Sequence, residues 1–71
     1  MVYPNPVRDQ LTLQGEGLRH VSLISITGAT VFDSAITSNG IVIDMANQPQ
    51  GLYLLRVCTD EGVKVEKVVK Q

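Results

Sequence analysis

Few side chains in this 71-residue sequence could carry covalent or acid–base chemistry: one histidine, His20, and one cysteine, Cys58. Catalysis needs such groups to converge on a base or a charge partner. A Ser–His–Asp set can be assembled on paper from Ser22, Ser25, Ser34 or Ser38 with Asp33 or Asp44. No serine, however, stands in the glycine-flanked turn that exposes a nucleophile. His20 reads instead as a solvated histidine at a strand edge, and Cys58, in the most apolar segment, as a buried structural thiol. One His and one Cys cannot close a zinc site. Asp60-Glu61 lacks the alternating carboxylates of a calcium loop and reads as a solvated turn. Gly15-Glu16-Gly17 is not followed by a helix start, so it forms no phosphate cradle. The chain is expected to be no enzyme and to hold no metal or cofactor.

The totals narrow the remaining classes. Net charge is −1, with acids and bases scattered singly. A nucleic-acid footprint needs a clustered basic face and a membrane anchor a polybasic run; neither partner is expected. The apolar stretches are too short to span a bilayer, and no charged start followed by an apolar run reads as a signal peptide. A lone cysteine allows no internal disulfide. The 44% hydrophobic content suffices for one small domain, in which only about 60% of the unfolded surface is buried. Val, Ile and Leu dominate it, as suits packed sheets.

The elements that must hold these side chains are strands. Leu11 and Leu13 alternate with Gln10, Thr12 and Gln14. Val21 and Leu23 set one phase and Ile24 and Ile26 the other, so a β-bulge or a strand apolar on both faces is expected at Leu23/Ile24. Gly28 precedes Val31-Phe32 in a hairpin connection, and Ser38-Asn39-Gly40 is a turn before Ile41-Val42-Ile43. Met45 to Gln50 reads as a polar connection containing Pro49 and closed by Gly51. Leu52 to Cys58 reads as a central strand, with Tyr53, Leu55 and Val57 on one face and Leu52, Leu54, Arg56 and Cys58 on the other. Thr59-Asp60-Glu61-Gly62 is a hairpin turn. The last strand divides Val63, Val65, Lys67 and Val69 from Lys64, Glu66, Val68 and Lys70. No stripe of helical period appears. The fold class expected is all-β, a small immunoglobulin-like antiparallel β-sandwich of six or seven short strands.

The chain opens with Tyr3-Pro4-Asn5-Pro6, whose prolines enforce a stiff, non-helical lead-in and whose Asn suits an Asx-type turn. That motif, the short strand Leu11-Thr12-Leu13, the strand Ile24-Ser25-Ile26-Thr27-Gly28, the segment from Ile43-Asp44 through Pro49 and Gly51 to Tyr53 and Val57, Gly62 and the ending Lys67-Val68-Val69-Lys70 follow one another in an order that resembles the C-terminal sorting domain of the type IX (Por) secretion system of Bacteroidetes. The sequence departs from the family at Ser25 and Thr27, where an acidic or amide residue often precedes the glycine.

The resemblance covers essentially the whole chain as one domain, residues 1–71, with Met1-Val2 expected to be a linker or start remnant. It implies a sorting signal that takes a cargo lying N-terminal to it through the outer membrane. A sortase-like peptidase then removes the signal as the cargo is attached to the surface or released. It implies partners in the type IX machinery, transit through the periplasm, and a final place on the outer surface or outside the cell. It implies that Lys67, Val68, Val69, Lys70 and Gln71 carry recognition, while Tyr3, Pro4, Asn5, Pro6, Gly28, Gly51, Tyr53 and Gly62 are structural. On this reading Val63 to Lys70 offers an edge to a partner. The lysines also serve as guards against aggregation, and weak self-association is compatible with such an edge. The rival reading is an immunoglobulin-like accessory module that stabilises a neighbouring secreted enzyme or binds carbohydrate.

Overall fold

Alternation of apolar and polar residues every second position dictates strands, and strands are what form. The computed structural model describes residues 2–4 and 6–71; the Asx-turn expectation for Asn5, and Met1, lie outside the described residues. Seven strands follow in order: β1 (Val2–Tyr3), β2 (Gln10–Gln14), β3 (Leu18–Ser25), β4 (Thr30–Ala35), β5 (Gly40–Asp44), β6 (Gly51–Thr59) and β7 (Gly62–Lys70). They make a three-stranded sheet ordered β1-β2-β5 and a four-stranded sheet ordered β4-β3-β6-β7, with every pairing antiparallel. The small immunoglobulin-like sandwich expected from the sequence is the fold. Val2, the first residue of β1, pairs with Leu13 and packs against the core.

The inward positions of both sheets build the core: Leu11 and Leu13 from β2, Val21 and Leu23 from β3, Ile43 from β5, Tyr53, Leu55 and Val57 from β6, and Val68 from β7. Burying each large aliphatic chain contributes about 1.5–3 kcal/mol. Three further core residues come from outside the alternating runs: Val7, Ile36 and Met45. The expectation that Met45 opens a polar connection is therefore corrected. Its N–H donates to Asp9 O at 2.7 Å, and its side chain is fully buried.

The slip at Leu23/Ile24 is real and has a simple origin. Leu23 pairs with Phe32 but Ile24 pairs with Thr30, so Val31 is the extra residue, on β4. Against β6 the register runs through unbroken, Leu23 opposite Leu55 and Ile24 opposite Leu54. Strand β3 is thus apolar on both faces, with Ile24 half-buried on the outside.

Tyr53 fixes the loop before β6. Its ring is buried and its hydroxyl donates to Pro49 O at 2.7 Å. A tyrosine near the start of this strand, bonded to backbone a few residues upstream, is a hallmark of immunoglobulin-like sandwiches. At the β6–β7 hairpin Gly62 takes φ +129, where a Cβ meets no neighbour yet any L-residue is strained. Gly28 and Gly51 also have positive φ. Tyr53→Phe is expected to cost about 1 kcal/mol by losing the hydroxyl's bond, while Leu55→Ala costs about 2–5 kcal/mol. Equilibrium urea unfolding measures both, and a Tyr53→Phe protein as stable as the parent contradicts the assigned role of the hydroxyl.

Candidate functional site

Strand β7 is the end member of the four-stranded sheet. From Gly62 to Lys70 it pairs on one flank with β6, in continuous register. On the other flank, among the described residues, Val7 bridges its end. Val7 N–H donates to Val69 O at 2.8 Å, and Gln71 N–H donates to Val7 O at 2.8 Å, a parallel bridge centred on Lys70. Those two bonds also show which way the strand points. Main-chain groups alternate sides along a strand, so the odd-numbered residues turn their N–H and C=O away from β6. Val63 and Val65 therefore present theirs on the outer flank.

Side-chain directions follow the same alternation and split the expected recognition set. Lys67 and Val69 lie on the outer face, and both are exposed. Val68 faces inward and is fully buried. Lys70 also faces inward, 7% exposed, and its Nζ donates to Gln71 O at 2.9 Å. Gln71 is exposed, its N–H held by Val7. The closing strand thus turns main-chain groups outward at Val63 and Val65 and is a clamped, partly internal segment at its end. Lys64 and Glu66 point to the inner face yet remain exposed, so this part of β7 overhangs the smaller sheet. On the outer face Val63 (53% exposed), Val65 (59%), Val69 and Leu54 form an apolar stripe.

The structural motif residues fall at the sandwich's margins. Tyr3 is in β1 opposite Thr12 and, like Pro4 and Pro6, is exposed. Val7, which follows them, escaped sequence reasoning. Its one signal was a lone apolar residue between Pro6 and the polar pair Arg8-Asp9.

The chemistry-bearing residues gather on the outer face without forming a catalytic relay. His20 is not at a sheet edge: β3 lies between β4 and β6, and His20 stands on its solvent side. Its Nε2 is 2.6 Å from Asp33 Oδ1, and Ser22 Oγ–H donates to Asp33 Oδ2 at 2.8 Å. The carboxylate sits in the middle, so the imidazole is not placed to take the serine proton. Cys58 is corrected from a core thiol to a half-buried outer-face residue, directly across from His20. Arg56 is exposed on the same face opposite Ser22 and Val65, away from Asp44 on the other sheet and Glu66 on the other face. Asp60 pairs with Arg19, an exposed contact of the kind that contributes about 0–1 kcal/mol. No cluster that could hold a metal ion occurs among the described residues.

The seven described strands form a small all-β sandwich of immunoglobulin-like architecture with β7 at the end of its larger sheet. The model of a family described as the secretion system C-terminal sorting domain matches residues 1–71, and the chain belongs to that family. It is a C-terminal sorting signal domain of type IX secreted cargo, recognised by the type IX machinery, and such cargo is exported to the cell surface or extracellular space. The family is a signal family, not a catalytic one. A search of curated proteins found no match. Nothing supports the carbohydrate-binding alternative: Tyr53 is in the core, Phe32 is half-buried, and Tyr3 alone of the aromatic residues is exposed.

Two measurements check the geometry. At low micromolar concentration the amide protons of Val7 and Gln71 are expected to exchange slowly, and those of Val63 and Val65 at nearly unprotected rates. Slow exchange at Val65 under those conditions contradicts an open edge. The Ser22 hydroxyl is the main reason the Asp33 carboxyl sits below its ordinary value; slight burial opposes it, and the His20 charge adds to it. A lowered folded-state pKa makes this contribution present above about pH 4 and lost as pH falls through the Asp33 value. Ser22→Ala is expected to raise that pKa, read by carboxyl-carbon NMR titration.

Proposed function

We propose that the machinery reads this domain by adding a strand, or a strand-like surface, along β7, with Lys67, Val68, Val69, Lys70 and Gln71 as the C-terminal part of the recognised segment. The observation that carries the reading is the outward set of main-chain donors and acceptors at Val63 and Val65, next to the apolar outer stripe. Main-chain bonds in such strand addition give affinity, and alternate side chains give specificity. Lys67 and Val69 contribute side-chain contacts on the outer face. Val68 and Lys70 contribute by holding the end of the strand in place. The cargo lies N-terminal to the domain, passes with it through the periplasm, and is freed from it by a sortase-like peptidase.

Secretion of a carrier protein fused to this domain tests the proposal. Deleting Val68 to Gln71 is expected to abolish export, but it also removes a core side chain and the Val7 bridge. The cleaner variant is therefore Lys67→Glu with Val69→Asp, both on the outer face. Folded fusions of this variant are expected to accumulate inside the outer membrane. Undiminished export of both folded variants removes the closing strand from recognition.

A further inference from the structure

Ile26 stands in a place that turn chemistry does not favour. Strand β3 ends at Ser25, and Ser25 to Gly28 closes a turn in which Gly28 N–H donates to Ser25 O at 2.9 Å. Turn positions favour Gly, Pro, Asn, Asp and Ser, so a β-branched isoleucine adds nothing to this one. Its side chain is 74% exposed, more than any other large hydrophobic side chain among the described residues. A residue that breaks a local rule without serving the fold points to a functional position.

Ile26 is one wall of a pocket of about 350 Å³ at the end of the larger sheet. The register of β3 with β6 stops at Ser25 opposite Tyr53, while β6 already runs from Gly51 against β7. The chain turns away from β6 at Ile26, and the gap it leaves is the pocket. Val31, Pro49 and Leu52 supply the other apolar walls, and Gly51 offers bare main chain, with open space where a Cβ would stand. Both sides are fixed in advance. On one, Ser25 N–H donates to Ala29 O at 2.8 Å. On the other, the core residues Tyr53 and Met45 hold the loop: the Tyr53 hydroxyl donates to Pro49 O, and Gln48 N–H donates to Met45 O at 3.0 Å. Preformed apolar concavities with a few polar groups are the usual form of a binding site.

The lining narrows the occupant. No charged residue borders the pocket, so a charged group entering it loses water and gains no partner; charge complementarity demands a neutral occupant. The volume lies at the low end of the range for ligand pockets, about 300–1,000 Å³, which suits one ring-sized group rather than an extended ligand. An aromatic side chain buries the most apolar area in one rigid piece. Gln48 and Gln50, which also line the pocket, carry amides that donate and accept, as the main chain beside such a ring requires. We propose that this pocket takes an uncharged aromatic side chain from a peptide segment of a partner protein. It lies on the β3 flank of β6, across that strand from β7, so it is a second point of contact that does not depend on strand addition at β7.

Amide NMR titration of the isotope-labelled chain tests it, with the blocked peptide acetyl-Gly-Trp-Gly-amide and its leucine, glutamate and lysine counterparts as probes. The tryptophan peptide is expected to shift the amides of Ile26, Thr27, Gln48, Gln50 and Leu52 saturably, with a Kd of about 1–10 mM. The amides of Thr12 and Val42, on the smaller sheet, are expected to stay in place. The leucine peptide is expected to bind about threefold more weakly, and the two charged peptides about tenfold more weakly. Ile26→Asp is expected to weaken the tryptophan peptide about tenfold and Ile26→Ala about threefold. Val42→Asp, an exposed change on β5, is expected to leave binding within about twofold of the parent. Where Ile26→Asp fails to fold, Ile26→Ala decides. The proposal is overturned by the absence of saturable shifts, by shifts centred on residues 63–66 instead, by leucine or charged peptides that bind as tightly as the tryptophan one, or by Ile26 variants that bind like the parent.

Discussion

Two main-chain hydrogen bonds from Val7, to Val69 and from Gln71, tie the beginning of this chain to its end. In a domain of this size the core is too small for either terminus to be dispensable. The bridge seats Val7 between the sheets, where its side chain has no exposure, beside the equally buried Val68. The stiff Pro4–Pro6 lead-in delivers it there: prolines restrict their own and the preceding backbone, so less conformational freedom remains to be lost when Val7 docks. The opening motif and the terminal residues, which are distant in sequence, are therefore one mechanical unit.

That unit explains why β7 changes character along its length. Near Lys70 the strand has a neighbour on both flanks and core on its inner face. Toward Gly62 its neighbour among the described residues is β6, and its inward residues, Lys64 and Glu66, overhang the three-stranded sheet. A four-strand layer packed on a three-strand layer must leave an edge uncovered. The sequence places charges where the overhang begins and apolar residues where cover resumes.

The strand pattern and the Leu23/Ile24 irregularity were legible because each rests on local alternation, and the central place of Leu52 to Cys58 because that run is the most apolar in the chain. Val7, Ile36 and Met45 were not, since each is a single apolar residue in a connection, and periodicity has nothing to say about one residue. His20 was misplaced for a related reason. Alternation tells which face a residue takes but not whether its strand is central, and strand order is a tertiary property. Cys58 shows the same limit: an apolar sequence neighbourhood did not mean an inward side chain, because β6 is apolar on its outer face too. Burial of Val68 and Lys70 followed from the register with β6, in which Val68 pairs with the core residue Tyr53.

Lysine at an edge strand ordinarily keeps other chains away, because pairing must desolvate or cover its charge. In β7 the three lysines do three different things. Lys70 is turned inward and bonded to the main chain of Gln71, so it closes the fold rather than guarding it. Lys67 stands outward on the exposed face beside Val69. Lys64 stands next to Glu66 on the same face two residues away, which weakens it as a guard: a strand carrying the opposite charge pattern meets no repulsion. If a partner strand does add along β7 as proposed, this pairing of opposite charges disfavours strands of uniform charge and favours those that alternate, which is the property a short signal needs if it is to be read by one surface and ignored by others.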